Sequence, residues 1–110
     1  MKASGVIIFI LLCLLAVVAF SAEKQGQEIF KSKGCFLCHK QHSTSGTIPS
    51  LSELSNAYKG KKEQLIQYFK GEAHPIIHPK RAATMKRQIE KTKAMSDPER
   101  TALADFILSH

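Results

Sequence analysis

Residues 35–39 read Cys35-Phe36-Leu37-Cys38-His39, and no other stretch constrains the fold of this chain as much. Two thiols three positions apart stand about one helical turn from each other, so both can reach the two vinyl groups on one porphyrin edge. The histidine follows at once, four positions after Cys35, where its ring can rise under the iron. The pattern predicts one covalently attached haem c, with thioethers from Cys35 and Cys38 and His39 as the proximal iron ligand. Two other readings share the C-x-x-C core. A structural zinc site of the four-cysteine kind needs a second such pair, which the chain lacks. A thiol–disulfide oxidoreductase needs a βαβ setting, and no β alternation persists anywhere in the sequence.

The N-terminus belongs to a different kind of segment. Met1 and Lys2 precede an apolar run from Val6 to Phe20 that carries no charge, and Ala19, Ser21 and Ala22 supply small side chains at its end. This is the layout of a secretory signal peptide cleaved after Ser21, leaving a domain over residues 22–110. An uncleaved N-terminal anchor is the alternative, since the run is short but can reach across a thin bilayer. Cys13 lies inside the run and leaves with it. A mature domain this small buries a limited core and needs a staple. It has no Trp and only Phe30, Phe36, Tyr58, Tyr68, Phe69 and Phe106 as large aromatics, so the bound cofactor is expected to act as its core.

The remaining pattern is helical, predicting an all-α domain. Glu23 to Lys33 forms a first helix with Ile29 and Phe30 inward and Gly26 one turn before Phe30. Lys40 to Ser50 is polar, rich in Ser, Thr and Gly, and reads as loop. Ser50-Leu51-Ser52-Glu53 is a capping-box pattern that starts a short helix through Leu54 and Tyr58, stopped by Gly60. Lys61 to Lys70 forms another, with Leu65, Ile66 and Phe69 inward and Gly71 after its end. Pro75 and Pro79 force an extended passage. Ser96-Asp97-Pro98-Glu99 is a second capping box, and Ala102, Leu103, Phe106 and Ile107 form the buried face of the last helix.

Taken in order, Gly26 and Phe30, the C-x-x-C-H motif, Ile48-Pro49-Ser50-Leu51, Met85 and Leu103-Ala104-Asp105-Phe106-Ile107-Leu108 give the chain its family likeness. It resembles class I cytochrome c, and within it the small bacterial monohaem cytochromes. The resemblance covers essentially the whole mature chain. It implies the cytochrome c fold: about four to five short helices wrapped around one covalently bound haem. It also implies that the first and last helices cross at a glycine, a role that Gly26 and Phe30 against Leu103 and Phe106 fit. By the same resemblance the Pro49 carbonyl accepts the Nδ1–H of His39, and Leu51 packs on the porphyrin.

The sixth iron ligand decides what such a haem does. A thioether fills the site and raises the potential, which suits electron transfer. Met85 follows the Pro-rich passage with ten residues of slack before the last helix, and its place in the family pattern favours it as the distal ligand. Met95 sits immediately before the Ser96 cap and reads as packing. His74 and His78, each before a proline, are the other candidates on the approach to Met85; their plainer reading is as solvated loop residues. His42 lies in the polar loop and His110 is the terminus. Lys86 follows Met85 where many relatives carry proline, leaving residues 85–93 free to become helical.

The formal charge is +7, and Lys33, Lys40, Lys80, Arg81, Lys86 and Arg87 flank the segments expected to surround the haem. Such a ring steers a carrier toward acidic docking patches on redox partners; a merely solvated surface is the plainer account. Export excludes nucleic acid as a partner, and a membrane contact requires an uncleaved N-terminal segment. The sequence is therefore expected to be a monomeric periplasmic one-electron carrier between respiratory redox partners, and not an enzyme. A haem enzyme or gas or redox sensor with an exchangeable distal ligand is the second reading, and thiol–disulfide exchange the third.

Overall fold

Two helices that are far apart in sequence and touch backbone to backbone organise the molecule. The computed structural model describes residues 2–42, 48–81 and 83–110. In chain order they form α1 (Lys2–Ser32), a 3-10 turn (Cys35–Leu37), α2 (Leu51–Ala57), α3 (Lys62–Phe69), a second 3-10 turn (Pro79–Arg81), α4 (Ala83–Lys93) and α5 (Asp97–Leu108). No strand occurs among the described residues.

The helix predicted from Glu23 is the last part of α1, whose backbone continues without a break back to Lys2. Ile7 to Leu12 in that extension are each more than half exposed. Among the described residues no helix is long and apolar enough to cross a membrane. At its other end α1 stops where Gly34 takes a left-handed φ of 76°. That conformation suits glycine and turns the chain directly into the Cys35–Leu37 turn.

The capping signals act where the sequence put them, with one difference. Ser96 Oγ accepts the Glu99 N–H at 3.3 Å, and Glu99 Oε1 accepts the Ser96 N–H at 3.1 Å, so the box at α5 is reciprocal. At α2, Ser50 Oγ accepts the Glu53 N–H at 3.2 Å, without the return bond. Gly71, φ 75°, ends α3, and the next N–H, of Glu72, reaches back 2.9 Å to the Gln67 carbonyl, as a left-handed helix end requires. Residues 43–47 of the polar loop lie outside the described residues. The segment that begins at Met85 is helical, and α4 starts two residues earlier, at Ala83.

One apolar cluster joins these elements: Ile29 and Phe30 of α1, Leu51 of α2 with Tyr58 at its end, Leu65 and Phe69 of α3, Met95, and Ala102, Leu103, Ala104, Phe106 and Ile107 of α5. α1 and α5 cross at Gly26. A Cβ there would overlap the Ala102 carbonyl oxygen and stand 2.7 Å from Phe106 Cβ. The glycine thus meets Ala102 and Phe106, while Leu103 joins the same cluster one position along. Phe30 lies 5.3 Å from Phe106 between ring centroids, next to this contact.

Gly26→Ala is expected to destabilise the domain by about 3 kcal/mol or more, because the overlap is with backbone and cannot be relieved by a rotamer change. For a domain of this size that is a fall in Tm of more than about 10 °C, read by calorimetry on the haem-loaded protein. A variant melting within a couple of degrees of wild type would remove the argument for a glycine-dependent crossing.

Candidate functional site

The C-x-x-C-H residues occupy a tight turn that local bonds fold. Leu37 N–H donates to the Gly34 carbonyl at 3.1 Å, Cys38 N–H to Cys35 at 3.3 Å, and His39 N–H to Cys35 at 2.9 Å. The turn is fastened to the helix crossing by Phe36, whose ring stands edge-on to Phe30 at 4.7 Å and lies 6.5 Å from Phe106. Cys35 is half-buried against the core, Cys38 is exposed, and both thiols are free. Leu37, between them, is 79 % exposed.

His39 is buried, and its ring is fixed from one side. Nδ1 lies 2.7 Å from the Pro49 carbonyl oxygen. A carbonyl only accepts, so Nδ1 carries the proton and Nε2 keeps its lone pair. The loop between these residues is closed at its base by Leu51 N–H on the Lys40 carbonyl, 2.8 Å, and Ser52 Oγ on the Gln41 carbonyl, 3.1 Å. Pro49 stands just before the two residues that make these bonds, and the tautomer of His39 is set by its hydrogen bond to the Pro49 carbonyl rather than by solvent.

This donor set fits a covalently attached haem. Two unpaired thiols share one turn, and an imidazole beside them offers a single free nitrogen. Tyr68, Ile76, Ile77 and Phe36 pack on the core yet stay only partly buried, giving apolar surface that a porphyrin can cover. The same turn suits thiol exchange poorly. Burial pushes the Cys35 thiol up, only partly offset by Lys91, whereas exchange needs a thiol that ionises easily.

Of the remaining residues singled out from sequence, Leu51 is completely buried beneath the loop, in the core. Met85 lies in the first turn of α4 and is partly buried. Met95 is buried in the core cluster, filling space beside α5. His42, His74 and His78 are exposed, and His78 takes a left-handed φ of 48°. His110 closes the end of α5, with Nδ1 2.9 Å from the Phe106 carbonyl and its ring edge-on to Phe106. Among the described residues no group of three His, Cys, Asp or Glu side chains is placed to hold a metal ion. Two surface clefts, one lined by Lys24 and Gln27 and the other by Asn56 and Lys59, flank His110, and neither contains a motif residue.

Two residues escaped the sequence reading. Thr92, buried, donates from Oγ1 to the Phe69 carbonyl at 2.7 Å, tying α4 to the end of α3. Arg100, also buried, donates from Nη1 to the carbonyls of Thr92, Lys93 and Met95. The available signal for Arg100 was its position: three residues before Leu103 and seven before Ile107, it is a charge on an apolar stripe.

The chain matches the family model for cytochrome c over residues 23–110. It belongs to the cytochrome c family. It is thus an all-α class I c-type cytochrome that carries covalently attached haem c with its iron, and its activity class is haem-based electron transfer. A comparison with curated proteins finds no match.

Tyrosine ionisation reports on how well the apolar half of the site is closed. Burial, reinforced by the neighbouring Tyr58, pushes Tyr68 up to about 12, and burial also raises Tyr58, opposed by the N–H of Ile76. The folded protein keeps the Tyr68 proton while the unfolded chain loses it near its ordinary value of 10. The resulting stability is complete below about pH 10 and lost as pH rises toward about 12. Tyrosinate absorbance should therefore rise only well above pH 10, and Tyr68→Phe should flatten the decline of urea stability between about pH 9 and 11.5. Tyrosinate appearing at its ordinary pH in the folded protein would contradict the burial.

Proposed function

We propose that this cytochrome is a periplasmic one-electron carrier in which Cys35 and Cys38 hold the haem, His39 is the proximal ligand, and Met85 the distal one. The observation that carries the reading is the 2.7 Å bond between His39 Nδ1 and the Pro49 carbonyl. It orients the ring, leaves Nε2 for the iron and increases the imidazole's donation to it. A thioether from Met85 would fill the remaining ligand position and keep the iron closed. The haem then supplies the reversible one-electron chemistry, while the chain's residues fix its ligands and exclude water. Leu51, buried next to Pro49, is the apolar support on that side.

Export is supported by the uncharged run from Val6 to Phe20 and by a family match that begins at residue 23, just after the cleavage expected behind Ser21. The partners we propose are respiratory redox proteins with acidic patches. Lys33, Lys40, Lys80, Lys86 and Arg87 are exposed, and the net charge of +6 that remains once Lys2 leaves with the signal segment favours fast, salt-sensitive encounter. The side chain of Arg81, expected in the same ring, lies outside the described residues.

Two sets of variants test this. Cys35→Ala with Cys38→Ala should abolish covalent haem by mass spectrometry and leave a poorly folded chain, since the core is too small to stand alone. Covalent haem in the double variant would overturn the attachment. Met85→Ala should lower the potential, remove the thioether-to-iron absorption band of the oxidised protein and let the reduced haem bind carbon monoxide. Met95→Leu, His74→Ala and His78→Ala should change none of these. A wild-type spectrum in Met85→Ala would turn the reading toward an exchangeable or histidine-ligated iron.

A further inference from the structure

Met85 is the third residue of an eleven-residue helix, so whatever fixes that helix fixes the methionine. Met85, Ile89 and Thr92 are spaced i, i+4, i+7 and form one face of α4. Ile89 and Thr92 are buried and Met85 partly so, which makes this the inward face. Three contacts hold the far end of the helix. Thr92 Oγ1 donates to the Phe69 carbonyl at 2.7 Å and also lies 3.0 Å from its own helix's Ile89 carbonyl. Arg100 of α5 donates from Nη1 to the last carbonyls of α4, that of Thr92 at 3.1 Å, which also accepts the Met95 N–H at 3.2 Å, and that of Lys93 at 3.0 Å, together with that of Met95. Lys91 Nζ donates to the Lys33 carbonyl at 3.2 Å, at the end of α1 just before the cysteine turn.

These contacts do different things. The Thr92 bond fixes the rotation of α4 about its axis, because a turn of one residue, about 100°, would carry the hydroxyl away from Phe69. The Arg100 bonds fix its axial position, because they read the last carbonyls of the helix. Met85 lies seven residues, two turns or about 10 Å, from Thr92 along the same rigid element. We propose that Thr92 and Arg100 are positioning residues for the distal iron ligand. Together they latch α4 in the one rotation and register that keep Met85 on the inward face. The proposal rests on Met85 being that ligand, as argued above.

The test uses the haem-loaded protein and reads the iron rather than stability alone. Thr92→Val removes the hydroxyl with little change in shape; Thr92→Ser restores it. Losing a buried hydrogen bond of this kind should enrich the Met85-detached form about fivefold. Carbon monoxide should then bind the reduced Thr92→Val protein about five times faster, with a lower potential and a weaker thioether band. Thr92→Ser should behave as wild type. Arg100→Met, which keeps an unbranched stem but removes the Nη1 donor, should move the same readouts in the same direction. Ser55→Ala is the control: it removes the buried bond from Ser55 Oγ to the Leu108 carbonyl, 3.2 Å, which ties α2 rather than α4 to α5, and should leave the iron unchanged. Thr92→Val matching wild type, Thr92→Ser failing to restore it, or Ser55→Ala producing the same shift each overturns the positioning role. If Met85→Ala opens the iron but Thr92→Val does not, the latch alone is wrong. If Met85→Ala leaves the iron closed, the ligand assignment fails and the latch proposal with it.

Discussion

The contact between Gly26 and the Ala102 carbonyl is the constraint on which the rest of this structure depends. α1 carries the cysteine turn at its end, and α5 is the most buried helix of the core. Letting the two approach until no Cβ fits between them brings Phe30, Phe36 and Phe106 into one aromatic cluster. Edge-on packing of that kind adds to the area it buries. Through Phe36 the attachment turn becomes part of the helix crossing, and the position of His39 follows from the turn's own backbone bonds. A site for a large rigid cofactor is thus fastened to the best-packed part of a small domain.

Much of this was legible in the sequence because it is written in local chemistry. The C-x-x-C-H turn, the Ser96 capping box, the stops at Gly60 and Gly71 and the inward faces of α3 and α5 each depend on residues within a few positions of one another. The His39–Pro49 bond spans ten residues and was expected through family likeness alone. What the pattern did not supply was α4. Its sequence, Ala83 to Lys93, is mostly polar and holds few apolar residues to mark a face. The helix is fixed instead by Thr92 on Phe69 and Arg100 on its final carbonyls, bonds to residues 23 and 8 positions away from Thr92. Side chain-to-backbone bonds of this range leave no periodic trace.

The two ends of the haem-binding stretch are consequently built on different principles. On the side of His39, the proposed proximal ligand, the residue directly follows the two cysteines, and its ring is oriented by the Pro49 carbonyl. On the side of Met85, the proposed distal ligand, no covalent attachment is expected. There a helix stands between α3 and α5, holding its place through polar contacts at its far end. With Met85 as the proposed distal ligand, a change in ligation is expected to start on the side where α4 is held by polar contacts.

Arg100 makes this argument more specific. Its side chain is 10 % exposed, its Nε has no partner, and its ion pair is with Asp97, which is 82 % exposed. The hydrogen bond from Arg100 holds the Asp97 carboxyl below its ordinary value, so the pair is intact at neutral pH and weakens as pH falls through the carboxylate range. A pair so open to water contributes little stability, while burying a guanidinium costs heavily. A purely apolar side chain here would pack without that cost, but it would leave the Lys93 and Met95 carbonyls without this donor and accept the helix in several registers. The gain from arginine lies in selecting one register: its Nη1 is satisfied where the carbonyls of Thr92, Lys93 and Met95 converge, while Nη2 is held by Asp97. Register, more than stability, is what α4 has to preserve in its proposed role of presenting Met85 to the iron.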